Sequence, residues 1–189
     1  MKIVTLHIIH LPHRIDRRKL VLEELQSQGI FDFVFWKGFH DVEKPSRGIA
    51  KAHQQIVAWA AEQRLPEVMI AEDDVEFTGP GAFQYYLAGA PAEYDLYLGG
   101  ISYGKINDDY TVDDFAGTHL YTIRKRFYET FLSLTGVKDI DRALAKKGTY
   151  SVCHPMVAIQ RDGYSDNVHE YRNNKQYFED RKLWRGPAC

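Results

Sequence analysis

The chain has 189 residues, 44% of them hydrophobic and 26% charged, which predicts one globular domain large enough to bury its own core. A formal net charge of -2 excludes a bulk field that would draw the chain onto nucleic acid or acidic lipid, so any anion site must be local. No apolar run is long enough to span a bilayer, and the first residues read as a strand without the cleavage pattern of a signal peptide. The sequence therefore predicts a cytoplasmic protein, with only peripheral membrane contact left open. Two cysteines make a disulfide framework an unsuitable reading; Cys153 lies in an apolar segment and reads as a small core residue, and Cys189 ends the chain.

In chain order, Ile3 to Ile9 predicts the first strand, and Pro12 sits in the turn that starts a helix. Val21, Leu22 and Leu25 share one face of that helix, with Gly29 as its stop. Phe31 to Trp36 follows as a second strand, so the chain opens as the strand-helix-strand unit of a parallel sheet. A loop over residues 37–47 leads into a helix from about Gly48 to Arg64, with Ile49, Ala52, Ile56, Trp59 and Ala60 at helical spacing and His53 beside that stripe. Val68 to Ala71 is a short apolar strand; Tyr94 to Leu98 is another, ending in Gly99-Gly100, where close approach of a ligand or of another backbone is allowed. Ile101 to Phe115 reads as a mobile loop. A strand (Thr118 to Ile123), a helix (Lys125 to Leu134), a short helix from Asp139 to Leu144 and a strand-like stretch (Thr149 to Ile159) broken at His154-Pro155 complete the body. The polar, aromatic tail over residues 161–189 either wraps over the sheet edge or is partly disordered.

The apolar run at Val68 to Ala71 ends in Glu72, Asp73 and Asp74. Strand alternation predicts that Glu72 and Asp74 point one way and Asp73 the other. Ligands of open α/β sheets sit beyond the carboxyl ends of the strands, and adjacent anions repel unless a cation joins them. Magnesium or manganese, which favour oxygen ligands and are often held by one or two carboxylates plus substrate phosphates, suit such a tip. Arg14, Arg17 and Arg18 follow the first strand, where arginine forks match phosphate geometry. His154, at an irregular strand edge, is a candidate to complete a metal's coordination, and Asp139 and Asp141 are candidates for a base. Each also has a plain structural reading: an acidic turn in solvent, a charged helix face, a satisfied core histidine at His53, an exposed ring at His154 and helix-start aspartates.

Together these segments resemble glycosyltransferase family 25, whose members build lipopolysaccharide or glycosylate collagen. The segments that carry the likeness are His10-Leu11-Pro12-His13-Arg14-Ile15-Asp16-Arg17, Gly48 to His53, Ile70 to Val75, Tyr94 to Gly99, Gly117 to Ile123, Asp139 to Leu144 and Pro155 to Asp166, in the family's order over most of the chain. His10 stands where the family has Asn, and Ala52 where it has Ser. The resemblance implies a single α/β domain of the GT-A type, a nucleotide-sugar-binding Rossmann-type sheet flanked by helices. It implies transfer of galactose or glucose from a UDP-sugar to a hydroxyl of a glycan or other acceptor, with inversion. It further implies a donor site of Leu11, Arg14, Arg17, His53, Glu72, Asp73 and Gly99, with Glu72 near the ribose. Asp74 and His154 would ligate the metal, and Asp141, or second Asp139, would be the base. Two rivals remain: a phosphatase, faintly echoed in Asp74-Val75-Glu76-Phe77-Thr78, and a non-catalytic nucleotide-sugar-binding module.

Overall fold

A computed structural model describes residues 4–187. Ile3, the first residue of the expected opening strand, and Cys189 lie outside the described residues. The elements in order are β1 (Leu6–His10), α1 (Ile15–Ser27), β2 (Phe33–Lys37), α2 (Pro45–Glu62), β3 (Glu67–Glu72), β4 (Val75–Phe77), α3 (Ala82–Ala88) and β5 (Leu96–Leu98). There follow β6 (Thr111–Val112), β7 (Leu120–Arg124), α4 (Tyr128–Ser133), α5 (Ile140–Ala143), β8 (Tyr150–Val152), β9 (Ala158–Gln160), β10 (Gly163–Ser165) and β11 (Glu170–Arg172).

Among the described residues, seven strands form one sheet in the order β2-β1-β3-β7-β5-β8-β6. β1 pairs in parallel with β2 and β3, as the opening strand-helix-strand pattern requires, while β7 runs antiparallel between β3 and β5. The sheet is therefore mixed. Along β3, Val68 and Ile70 enter one core with Ile56, Val57 and Phe131, and Met69 and Ala71 enter another with Val21, Leu25 and Phe83. Strand alternation thus sets α2 and α4 on one face and α1 and α3 on the other.

Local chemistry explains the boundaries. α1 stops at Gly29, whose φ of 67° suits glycine, with Ile30 N–H donating back to the Leu25 carbonyl. Leu22, expected on the buried face of α1, is 38% exposed; only Val21 and Leu25 are buried there. Gly48 lets α2 lie on the preceding loop, since a Cβ there would stand 2.2 Å from the Phe39 carbonyl oxygen. Gly100 serves a backbone contact: its missing Cβ would fall 2.1 Å from the Ala158 carbonyl oxygen.

One expectation about order is corrected, and a choice between two is decided. The segment 101–115 is not a free loop: Ile101, Val112 and Phe115 are fully buried, β6 joins the sheet edge, and Tyr103 bridges Ala116. Its apolar residues outweigh the aspartates that made it look mobile. The tail wraps over the sheet edge. β10 and β11 form a hairpin, Phe178 is buried, and Trp184 stacks on Tyr85 at a centroid distance of 4.0 Å.

Candidate active site

β1 and β3 end side by side, and β3 stops at Glu72. Asp73 and Asp74 then form the turn into β4. The expected alternation of the three acids fails for that reason: strand geometry ends before Asp73, and all three residues line one cleft of about 160 Å³. The cleft is walled by Ile9 of β1, Leu11 after it and Arg17 of α1, by Phe39 to Asp41 after β2, by Ala52 and His53 of α2, by Gln160 of β9, and by Ser165, Asp166 and Asn167 of the tail. It opens beyond the carboxyl ends of two parallel strands, where open α/β sheets place ligands.

Asp73 and Asp74 are each 6% exposed. Arg17 Nη1 donates to Asp73 Oδ1 and to Asp74 Oδ2, both at 3.0 Å. His10 sits 2.8 Å from Asp73 Oδ2 through Nδ1. Gln160 Nε2 donates to Asp74 Oδ2 at 3.1 Å. Asp74 Oδ1 is buried and has no hydrogen-bond partner among the described residues. Burial, reinforced by the neighbouring Glu72 and Asp73 charges, pushes the Asp74 carboxyl up to about 7 although Arg17 pulls it down.

Glu72 behaves in the opposite way. Burial opposes its charge, but His53 and the Thr118 hydroxyl, which donates to Oε1 at 2.8 Å, hold it below the usual carboxylate range. His53 is fully buried, with Nδ1 2.9 Å from the Tyr121 hydroxyl and Nε2 3.4 Å from Glu72 Oε1.

Arg14 reaches Asp16 with two donors and, from Nη1, Asp166 and the Tyr164 carbonyl. Its donors are directed to the hairpin and to α1. Gly99, expected in the donor site, packs against Leu120, and its carbonyl accepts from Val157 and Ala158 N–H. The pairing of His154 with Asp74 is not formed. The His154 ring stacks on Tyr110 at 4.7 Å, outside the residues lining the cleft, because the chain breaks away from the sheet between β8 and β9. Burial lowers its pKa.

A second cavity of about 170 Å³ adjoins the first, with Ile49, Glu72, Gln160 and Asn167 common to both walls. Asp139 and Asp141 line it with Ser102, Thr118 and Lys138. Asp141 accepts from Gly117 N–H at 2.9 Å and Arg142 N–H at 2.8 Å, and burial raises its pKa.

Gln160 and Asp166 fall within the segment Pro155 to Asp166 that carries the resemblance, which assigns them no role; both stand at the cleft. Thr118 and Tyr121 lie in the segment Gly117 to Ile123 that carries the resemblance, but nothing in it assigned them a role.

No family model and no curated protein matches the chain. Among solved structures, A197 from STIV aligns over 89% of this chain and 92% of its own, at 15% identity and a TM-score of 0.56, and so shares the fold. A glycosyltransferase involved in the glycosylation of the major capsid of PBCV-1 aligns over 69% of this chain and 64% of its own, at 17% identity and a TM-score of 0.41. HddC from Yersinia pseudotuberculosis, complexed with GMP-PN, aligns over 79% and 89%, at 10% identity and a TM-score of 0.40. The α/β architecture, a mixed seven-stranded sheet flanked by helices, is thus one seen in solved proteins. No helix among the described residues is long and apolar enough to cross a membrane.

The donor set can be weighed against a divalent ion. No group of three or more His, Cys, Asp or Glu suited to a metal occurs among the described residues. A magnesium or manganese ion held chiefly by substrate phosphates needs only one or two carboxylates. Asp74 Oδ1, buried and without a partner, fits that lesser demand.

Proposed function

We propose that the chain is a glycosyltransferase of the family 25 type that moves a hexose, galactose or glucose, from a UDP-sugar to a hydroxyl of a glycan or other acceptor, with inversion. The observation that carries this reading is Asp74 Oδ1, an unpartnered buried carboxylate oxygen at the end of β3, between Glu72 and the tail. Bound there, manganese or magnesium would neutralise charge on the departing diphosphate. Asp74 would hold the ion, Glu72 would face the ribose, and Leu11 and Phe39 would form the apolar wall of the donor cleft. Arg17, within reach of the same carboxylates, would offer a second positive charge to the diphosphate.

The adjoining cavity suits the acceptor. Asp141 there would take the acceptor proton, and burial, which raises its pKa, suits it to that task. A wall common to both cavities is what direct displacement needs, since nucleophile and anomeric carbon must meet.

Calorimetry with UDP, with and without manganese, tests the reading. Metal-dependent binding that Asp74→Ala abolishes, while the thermal transition stays within a few degrees, is the expected result. Metal-independent UDP affinity, or an unchanged Asp74→Ala, would reject the assigned role.

A second reading has its own support. His10, Arg17 and Gln160 already occupy three of the four oxygens of Asp73 and Asp74. An acid pair already engaged at three of its four oxygens suits a non-catalytic module that binds a nucleotide-sugar. UDP binding without UDP-sugar hydrolysis or transfer would favour it.

A further inference from the structure

Glu72 has its two oxygens in different situations. Oε1 accepts from the Thr118 hydroxyl at 2.8 Å and faces His53 Nε2 at 3.4 Å. Oε2 has no hydrogen bond among the described residues, while the side chain keeps 19% of its surface open at the cleft. Behind His53 stands Tyr121, fully buried, its hydroxyl 2.9 Å from His53 Nδ1. That hydroxyl has no other hydrogen-bond partner among the described residues, so the coherent arrangement has Tyr121 donating to Nδ1 and the imidazole proton on Nε2, aimed at Glu72. His53 Nε2 is buried without a closer partner. At 3.4 Å the contact is too long to be a strong bond, and it adds to the 2.8 Å bond from Thr118 on the same oxygen.

The rest of the carboxylate's surroundings leave it the same orientation. His119, buried on the neighbouring segment, directs Nε2 to the Ala158 carbonyl rather than to Glu72. Asp73 and Asp74 engage Arg17, which makes no bond to Glu72. The chain Tyr121–His53–Glu72 therefore runs from the core to the cleft, with one carboxylate oxygen restrained and the other free.

We propose that Tyr121 and His53 are positioning residues that hold Glu72 Oε1 inward and present Oε2 to the ribose 2′-hydroxyl of a ribonucleoside diphosphate. The site then selects ribonucleotides over 2′-deoxyribonucleotides. A carboxylate fixed in place accepts a hydroxyl proton without first being ordered, whereas a free rotor loses part of that gain. A 2′-deoxy ligand covers that acceptor and leaves it unpaired, and a polar site rejects such an analogue strongly. This inference rests on the nucleotide-binding reading above.

The test is calorimetry of UDP and 2′-deoxy-UDP with manganese, on the wild type, Glu72→Gln, Tyr121→Phe and Thr118→Val. The expected wild-type preference for UDP is about tenfold or more. Tyr121→Phe keeps the ring packing, removes only the hydroxyl, and should bring the UDP/deoxy-UDP ratio down severalfold while 2′-deoxy-UDP affinity holds; a general structural defect would weaken both ligands together. Thr118→Val, nearer the cleft, should lower the same ratio and serves if Tyr121→Phe fails to fold. A ratio that Glu72→Gln abolishes but Tyr121→Phe and Thr118→Val leave intact overturns the positioning role. A wild-type ratio near one, with UDP bound tightly, overturns the ribose contact and leaves the donor reading standing. Failure of both nucleotides to bind the wild type rejects the donor reading itself and this inference with it.

Discussion

Asp74 and Glu72 lie two positions apart, and their surroundings drive them in opposite directions. For Asp74 the consequence is a measurable pH dependence. A carboxyl raised from 3.8 to about 7 binds its proton more tightly in the folded chain than in the unfolded one. Its contribution to stability is therefore present at acid pH and is lost as pH rises through about 7. Asp74→Asn removes this titration and leaves the other carboxylates in place. Urea denaturation from about pH 5 to about pH 8 should show the wild type losing stability relative to the variant. Manganese affinity should run the other way, rising across about pH 6 to 8 in the wild type, because the ion needs the carboxylate. A wild-type affinity that is flat with pH would show that Asp74 is not the ligand. At Asp141 the expected effect is on chemistry alone. Asp141→Asn should keep UDP binding and lose transfer by a factor of about 100 or more; a loss of UDP binding would move Asp141 from the acceptor side to the donor side.

At the scale of elements, two segments differ from what composition suggests. The stretch 101–115 carries four aspartates, yet Phe115 is fully buried against Tyr150. Phe115→Ala should cost about 3–5 kcal/mol by urea denaturation, the range for emptying an aromatic core position. A cost within about 0.5 kcal/mol would mark an ordinary surface segment. The hairpin of β10 and β11 is the other. It joins no strand of the large sheet among the described residues and is held at the cleft by Arg14 and Arg17 on the Tyr164 carbonyl and by Asp166 on Arg14 and His13. Arg14→Ala leaves a half-buried Asp166 short of its main partner. Limited proteolysis between residues 163 and 172 should then speed up severalfold while the global urea midpoint moves little. Equal protection in variant and wild type would show that other contacts hold the hairpin.

At the scale of the whole molecule, the tail belongs to the fold. Met156 N–H donates to the Lys182 carbonyl and the Met156 carbonyl accepts from Trp184 N–H, Phe178 is buried, and Arg161 joins Glu24 of α1. Truncation after residue 160 should abolish the cooperative thermal transition; a cooperative, near-native melt would show the tail to be an accessory. The sequence by itself determined what short-range physics controls. Periodicity placed the main helices and strands, Gly29 ended α1, and the run from Val68 to Ala71 marked the strand whose tip carries three acids. Those features depend on residues a few positions apart. The tertiary structure alone decided which partners those acids have: Arg17 from 56 positions before Asp73, Gln160 from 86 positions after Asp74, and Tyr121 behind His53 at a separation of 68. It also set β7 antiparallel within the sheet, broke the strand at Glu72 so that the acids share one cleft, and kept His154 away from them. Contacts of that range arise from the closing of the sheet, whose register is fixed by burying both faces at once, and no local pattern encodes it.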